Sequence, residues 1–72
     1  MITLYAIKHK EYGRFITGTD FNYTAPRQIM SVYDTPLLFT EYNLKSEIKR
    51  RHINLNRYKV CIVEVKEVTG NA

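Results

Sequence analysis

Cysteine occurs once in these 72 residues, tryptophan not at all, glycine three times and proline twice. A single cysteine cannot close an internal disulfide, so nothing staples the chain covalently, and the expected home is a reducing cytoplasm. There is no internal repeat and no low-complexity segment, and the composition, 44% hydrophobic and 25% charged, is ordinary for a globular protein. No apolar run approaches the roughly 18 residues that a membrane helix needs. Residues 2–8, directly after Met1, are too short and too strand-like for a secretory signal. The expectation is a soluble chain with no membrane partner. Catalytic and phosphate-binding signatures are missing too. The lone Gly18-Thr19-Asp20 lacks the further glycines and the lysine of a phosphate loop. His9, His52 and Cys61 have no recognised metal-ligand spacing. Cys61 falls mid-strand in an apolar run, where a thiol serves as a small hydrophobe rather than a nucleophile. Asp20 and Asp34 sit in turn contexts, where aspartate bonds to nearby backbone. The chain reads as a non-enzyme without metal or cofactor.

What is present is tyrosine and positive charge. Six tyrosines and three phenylalanines suit a small sheet whose rings cover the core while the hydroxyls stay wet. The net charge of +4 permits an acidic protein or a nucleic acid as partner without demanding either. At this length folding buries only about 60% of the surface of the unfolded chain, so the core must be thin.

Alternation and β-branched content predict a strand over 2–8, a hairpin loop with Gly13 in a left-handed conformation, and a returning strand over 14–17. Residues 17–20 read as turn chemistry that closes this hairpin. Residues 27–33 read as extended, because Ala25 before Pro26 is pushed out of the helical region. Residues 37–39 are a brief strand or a linker laid over the core. One helix is predicted over 41–52, with Thr40 as N-cap and Leu44 and Ile48 on its apolar face. Glu41–Lys45 and Glu47–Arg51 are spaced for ion pairs, and Lys49, Arg50, Arg51 and His52 complement the C-terminal dipole. Asn54–Asn56 should end it. The strand over 58–68 has apolar residues on both faces, the mark of an interior strand. The expected fold class is α+β: a small antiparallel sheet of four or five strands with one helix packed on one face, in the order β-β-β-(β)-α-β. Residues 1–68 would form a single domain and 69–72 a flexible tail.

Two surfaces stand out. Between the strand-like runs, residues 18–27 make a connection longer than the 2–5 residues of an efficient hairpin loop. Phe21 and Tyr23, two apart, point to one side of an extended segment beside Arg27. They either fold back to cap the core or form an exposed aromatic–arginine pair of the kind that dominates protein interfaces and also stacks on bases. The second surface is the basic helix end, Lys45, Lys49, Arg50 and Arg51, with Arg57 beyond it. It reads as a solvated face or as a patch for phosphates or an acidic protein.

The chain also resembles small uncharacterised proteins of bacteriophages and prophages of Gram-positive bacteria. The matching features are Gly13-Arg14-Phe15-Ile16-Thr17-Gly18-Thr19-Asp20, the pair Pro26-Arg27, Leu38-Phe39 before a charged helix, and Tyr58-Lys59-Val60 opening the last strand. That resemblance covers nearly the whole chain and carries over no catalytic residue. It implies a phage gene expressed in a bacterial cytoplasm, a setting in which small proteins act by stoichiometric binding. The leading expectation is a non-catalytic protein that binds a host protein and inhibits or modulates it, a defence component among the possible targets. A nucleic-acid-binding accessory protein using Lys45, Lys49, Arg50, Arg51 and Arg57 is the alternative. A third reading is a protein that sequesters a nucleotide signal, with Arg27 on its phosphate and Tyr23 on its base. An edge strand and a thin core also make a homodimer an option.

Overall fold

The structure, a computed structural model, describes residues 2–65. Five elements follow in chain order: β1 (Ile2–His9), β2 (Gly18–Asp20), β3 (Arg27–Ile29), α1 (Leu44–Arg50) and β4 (Tyr58–Val65). The α+β class is as expected, but the single larger sheet is not formed. β1 pairs antiparallel with β4 in one two-stranded sheet, and β2 pairs antiparallel with β3 in another. The expected tail 69–72 and the end of the last predicted strand, 66–68, lie outside the described residues.

β1 organises the molecule because both of its edges are used. The Lys10 N–H donates to the Arg57 carbonyl at 2.8 Å, in register with the β1–β4 ladder. By the alternation of an antiparallel pair, the even residues of β1 therefore turn their backbone groups toward β4. The odd residues turn theirs the other way. Tyr5 exchanges two 2.8 Å bonds with Phe39, the Ile7 carbonyl accepts from Ile16, and the His9 N–H donates to Arg14. The expected returning strand over 14–17 is thus reduced to one bridge, Lys8 to Phe15, and 37–39 to another, Tyr5 to Phe39. Both segments are too short to run as strands, so the larger sheet stays fragmentary.

The side chains of Tyr5, Ile7 and His9 share the face that carries the core. Ile7, Ile16, Phe39 and Ile53 are buried, with Tyr5, Met30, Leu37, Leu44, Ile48 and Tyr58 packed around them. Leu44 and Ile48 supply the apolar side of α1, as their spacing predicts. His9 is buried as well: Tyr12 stacks on its ring with centroids 4.3 Å apart, and Tyr58 meets it edge-on at 4.9 Å. Its Nδ1 accepts from the N–H groups of Glu11 and Tyr12, each at 3.1 Å, and this shapes the loop that Gly13 closes at φ 67°. Burial pushes the Tyr58 phenol above its ordinary value.

Four local expectations are corrected. Gly18–Asp20 is a strand rather than a closing turn; it opens a second hairpin, and the Asx turn begins at Asp20, whose Oδ1 accepts the Asn22 N–H at 2.9 Å. The extended run 27–33 narrows to Arg27–Ile29. The helix is shorter than 41–52. The N-cap is Asn43 rather than Thr40 and makes no side-chain cap bond into α1; Thr40 and Asn43 instead bond reciprocally (Thr40 N–H to Asn43 Oδ1 at 2.8 Å, Asn43 N–H to Thr40 Oγ1 at 3.3 Å) in the turns over 41–43 ahead of α1. At the far end, termination falls on His52 at φ 53° rather than on the asparagines. Its N–H donates to the Lys49 carbonyl and that of Ile53 to the Ile48 carbonyl. This is a Schellman closure, with Ile48 packed against the buried cluster that contains Ile53. Finally, β4 is an edge strand rather than an interior one, since β1 is its only partner among the described residues.

A non-glycine residue in the left-handed region costs about 1 kcal/mol. His52→Gly should therefore raise the unfolding free energy by about 1 kcal/mol, and Gly13→Ala should lower it by ~1 kcal/mol. Urea unfolding with unchanged m-values checks both.

Candidate functional site

The long connection from 18 to 29 is a three-plus-three-residue hairpin, Gly18 opposite Ile29, Thr19 opposite Gln28 and Asp20 opposite Arg27, spanned by the loop 21–26. The end of α1 holds it in place. Arg51 donates from Nη1 to Thr19 Oγ1 at 2.9 Å, Thr19 Oγ1 donates to Gln28 Oε1 at 2.8 Å, and Gln28 Nε2 donates to the Arg51 carbonyl at 2.7 Å. The chain of bonds closes on the residue where it began. It also satisfies one of the carbonyls that every helix leaves unpaired at its C-terminus.

Glu47 anchors the same end. Arg50 grips its carboxylate with two bonds, Nε at 3.0 Å and Nη2 at 2.9 Å, and Arg51 Nε adds a third at 2.8 Å. The Glu47–Arg51 pair is the one that i, i+4 spacing predicts; no Glu41–Lys45 ion pair forms among the described residues. Hydrogen bonds from Arg50 and then Arg51 hold the Glu47 carboxyl down at about 2, from an ordinary 4.5.

This arrangement brings the two sequence-predicted surfaces together. The guanidinium carbon of Arg50 lies 5.1 Å from the centre of the Phe21 ring and that of Arg51 5.8 Å, both within cation–π range. Arg51 is also 5.8 Å from the ring centre of buried Phe39. On the same hairpin Arg27 of β3 stacks over Tyr23 at 3.9 Å. Arg27 makes no ion pair among the described residues, although Asp20 is its neighbour across the hairpin. Phe21 is 47% exposed and Tyr23 46%, so neither caps the core; each keeps about half of its surface in water with a guanidinium alongside.

The other predicted cations lie elsewhere. At 100° per residue, Lys45 and Lys49 fall on a different flank of α1 from Arg50 and Glu47, and both are exposed. Arg57 lines a hollow with His9, Lys10, Glu11, Tyr12 and Asn56, beside the first loop. Cys61 and His9 sit on opposite faces of the β1–β4 sheet, because Cys61 pairs with Ala6 and His9 with Tyr58. No cluster of three metal-ligating side chains occurs among the described residues, and no helix there is long and apolar enough to cross a membrane. Thr19 and Gln28, which fix the site, carry no signal of their own in the sequence: their role appears only once the helix end meets the hairpin.

No protein-family model, curated protein or solved structure matches this chain.

The Glu47 shift fixes a pH dependence. A carboxyl whose folded value is depressed stabilises the fold fully above its unfolded value, and the contribution is lost as pH falls through the folded value. Acid unfolding of the wild type should therefore steepen between about pH 4.5 and about pH 2. Glu47→Gln should be less stable at neutral pH and flatter across that window, read by circular dichroism. Arg51→Ala, which opens the hydrogen-bonded ring, should cost about 2 kcal/mol.

Proposed function

We propose that the chain is a non-catalytic binding protein, phage-encoded, that engages a host bacterial protein in the cytoplasm and inhibits or modulates it, an anti-defence role included. The observation that carries this reading is the joining of Phe21 and Tyr23, both half exposed, with Arg27, Arg50 and Arg51 on one hairpin-and-helix-end surface. Aromatic and arginine side chains with few rotamers left to lose supply the energetic centre of protein interfaces. Here their positions are set in advance: the hydrogen-bonded ring fixes the hairpin, and Glu47 fixes both arginines. The local charge favours a partner that combines an apolar pocket with carboxylates. Arg27 makes no ion pair among the described residues, and Glu47 offsets only one of the two helix-end guanidiniums.

The nucleic-acid alternative draws less support. A phosphate-binding stripe needs free cations in a row. Of the residues assigned to it, Arg50 and Arg51 are engaged by Glu47, Lys45 and Lys49 face another flank, and Arg57 lies by the first loop. The nucleotide-signal reading needs the Tyr23 ring for a base, yet Arg27 already covers one face of it.

Immobilised protein incubated with a Gram-positive host lysate should retain one stoichiometric protein. The double variant Phe21→Ala/Tyr23→Ala should lose that capture by about thirtyfold or more, as removal of an interface centre does, while its urea midpoint stays near the wild type. Titration against single- and double-stranded DNA and RNA at low and high salt is the counter-test. Salt-sensitive binding there, with no protein captured, overturns the reading in favour of nucleic acid.

A further inference from the structure

β4 presents an edge with no strand beside it among the described residues. Since its odd residues bond to β1, the backbone N–H and C=O groups of Val60, Ile62 and Glu64 point outward. The outward groups of Tyr58 differ, because its N–H already donates to the Asn54 carbonyl at 3.0 Å. The same residues carry the exposed apolar side chains. Val60 is 38% exposed and Ile62 68%, although both share the sheet face that carries the core. A free edge is commonly blunted by charge, proline or a bulge. Here Val60-Cys61-Ile62-Val63 runs uncharged between Lys59 and Glu64, with no proline.

We propose that β4 pairs antiparallel with β4 of a second copy of this chain, Val60 opposite Ile62 and Cys61 opposite Cys61, to close a four-stranded sheet. Three features select this occupant. The register matches outward-pointing groups with outward-pointing groups and sets the exposed Val60 and Ile62 of the two copies against each other on the core face. The antiparallel direction brings the cationic start of the strand, Arg57 and Lys59, to the end where the other copy holds Glu64, whereas a parallel pairing would align like charges. Two full strands are also fewer than a sheet needs for stability of its own, and pairing supplies the missing ones.

The Cys61 pair would be a non-hydrogen-bonded one, with Cα atoms about 4.5 Å apart, inside the range a disulfide spans. The thiols therefore report the register. Sedimentation from roughly 10 μM to 1 mM should show a monomer–dimer equilibrium. Diamide should cross-link the wild type through Cys61, and Cys61→Ser should abolish the cross-link. Ile62→Pro removes only an outward N–H, so it should block pairing without breaking the β1 ladder. Ile62→Lys, at a mostly exposed position, should weaken the dimer by about tenfold or more even if the proline variant fails to fold. Phe21→Ala should leave the dimer intact, which separates this proposal from the partner-binding reading. A chain that remains monomeric across that range overturns the proposal. So does a dimer that survives Ile62→Lys, and so does a dimer whose Cys61 thiols do not cross-link.

Discussion

Arg51 ties the end of α1 to the β2–β3 hairpin. Its guanidinium reaches Glu47 on its own helix and Thr19 on the hairpin, and its carbonyl receives the Gln28 amide from the opposite strand. The β2–β3 hairpin has only three residue pairs, too few to stand alone in water. Seated on the helix end, it gains two hydrogen bonds, one of them charge-assisted, plus the approach of Phe21 to both arginines. The side chain of Arg51 is 15% exposed, so these bonds act largely out of water, where they are stronger. Lysine in its place would lack the planar fork that serves Glu47 and Thr19 at once.

The remaining architecture follows from a shortage of apolar surface. Four buried side chains, Ile7, Ile16, Phe39 and Ile53, form the centre, and three of the four come from connections rather than from strands or the helix. Where the core runs out, polar devices take over. His9 accepts two backbone N–H groups and organises the first loop between two tyrosine rings. Thr40 and Asn43 satisfy each other at the helix entry, and His52 adopts a left-handed conformation so that Ile53 can return to the core. The strain at His52 is offset by the burial it makes possible.

Local signals were legible in the sequence, and long-range ones were not. Gly13 in its left-handed turn, the Leu44–Ile48 stripe and the Glu47–Arg51 pair all depend on residues within about one turn of each other. Two of the misreadings share a different cause. Gly18–Asp20 looks like turn chemistry because Gly and Asp favour turns, yet pairing across the hairpin with Arg27–Ile29 overrides that preference. β4 looks interior because both its faces are apolar, a pattern that also fits an edge strand whose second neighbour is absent among the described residues. The site was half legible. Phe21, Tyr23 and Arg27 stand out by spacing, but nothing local says that Arg50 and Arg51 will arrive at Phe21, or that Lys45, Lys49 and Arg57 will not.

The two proposed surfaces occupy opposite sides of β1, and this has a geometric consequence. β4 lies along one edge of β1, while the hairpin attaches through 14–16 and 37–39 on the other, with Thr17 bonded to Ile29 and Leu37 to Ile16. Pairing through β4 would therefore point the two Phe21–Tyr23 surfaces away from the shared strand, leaving both accessible. Two rigidly spaced copies of one binding surface convert the second engagement into an intramolecular event wherever the partner is itself repeated, and avidity then rises without any new contact.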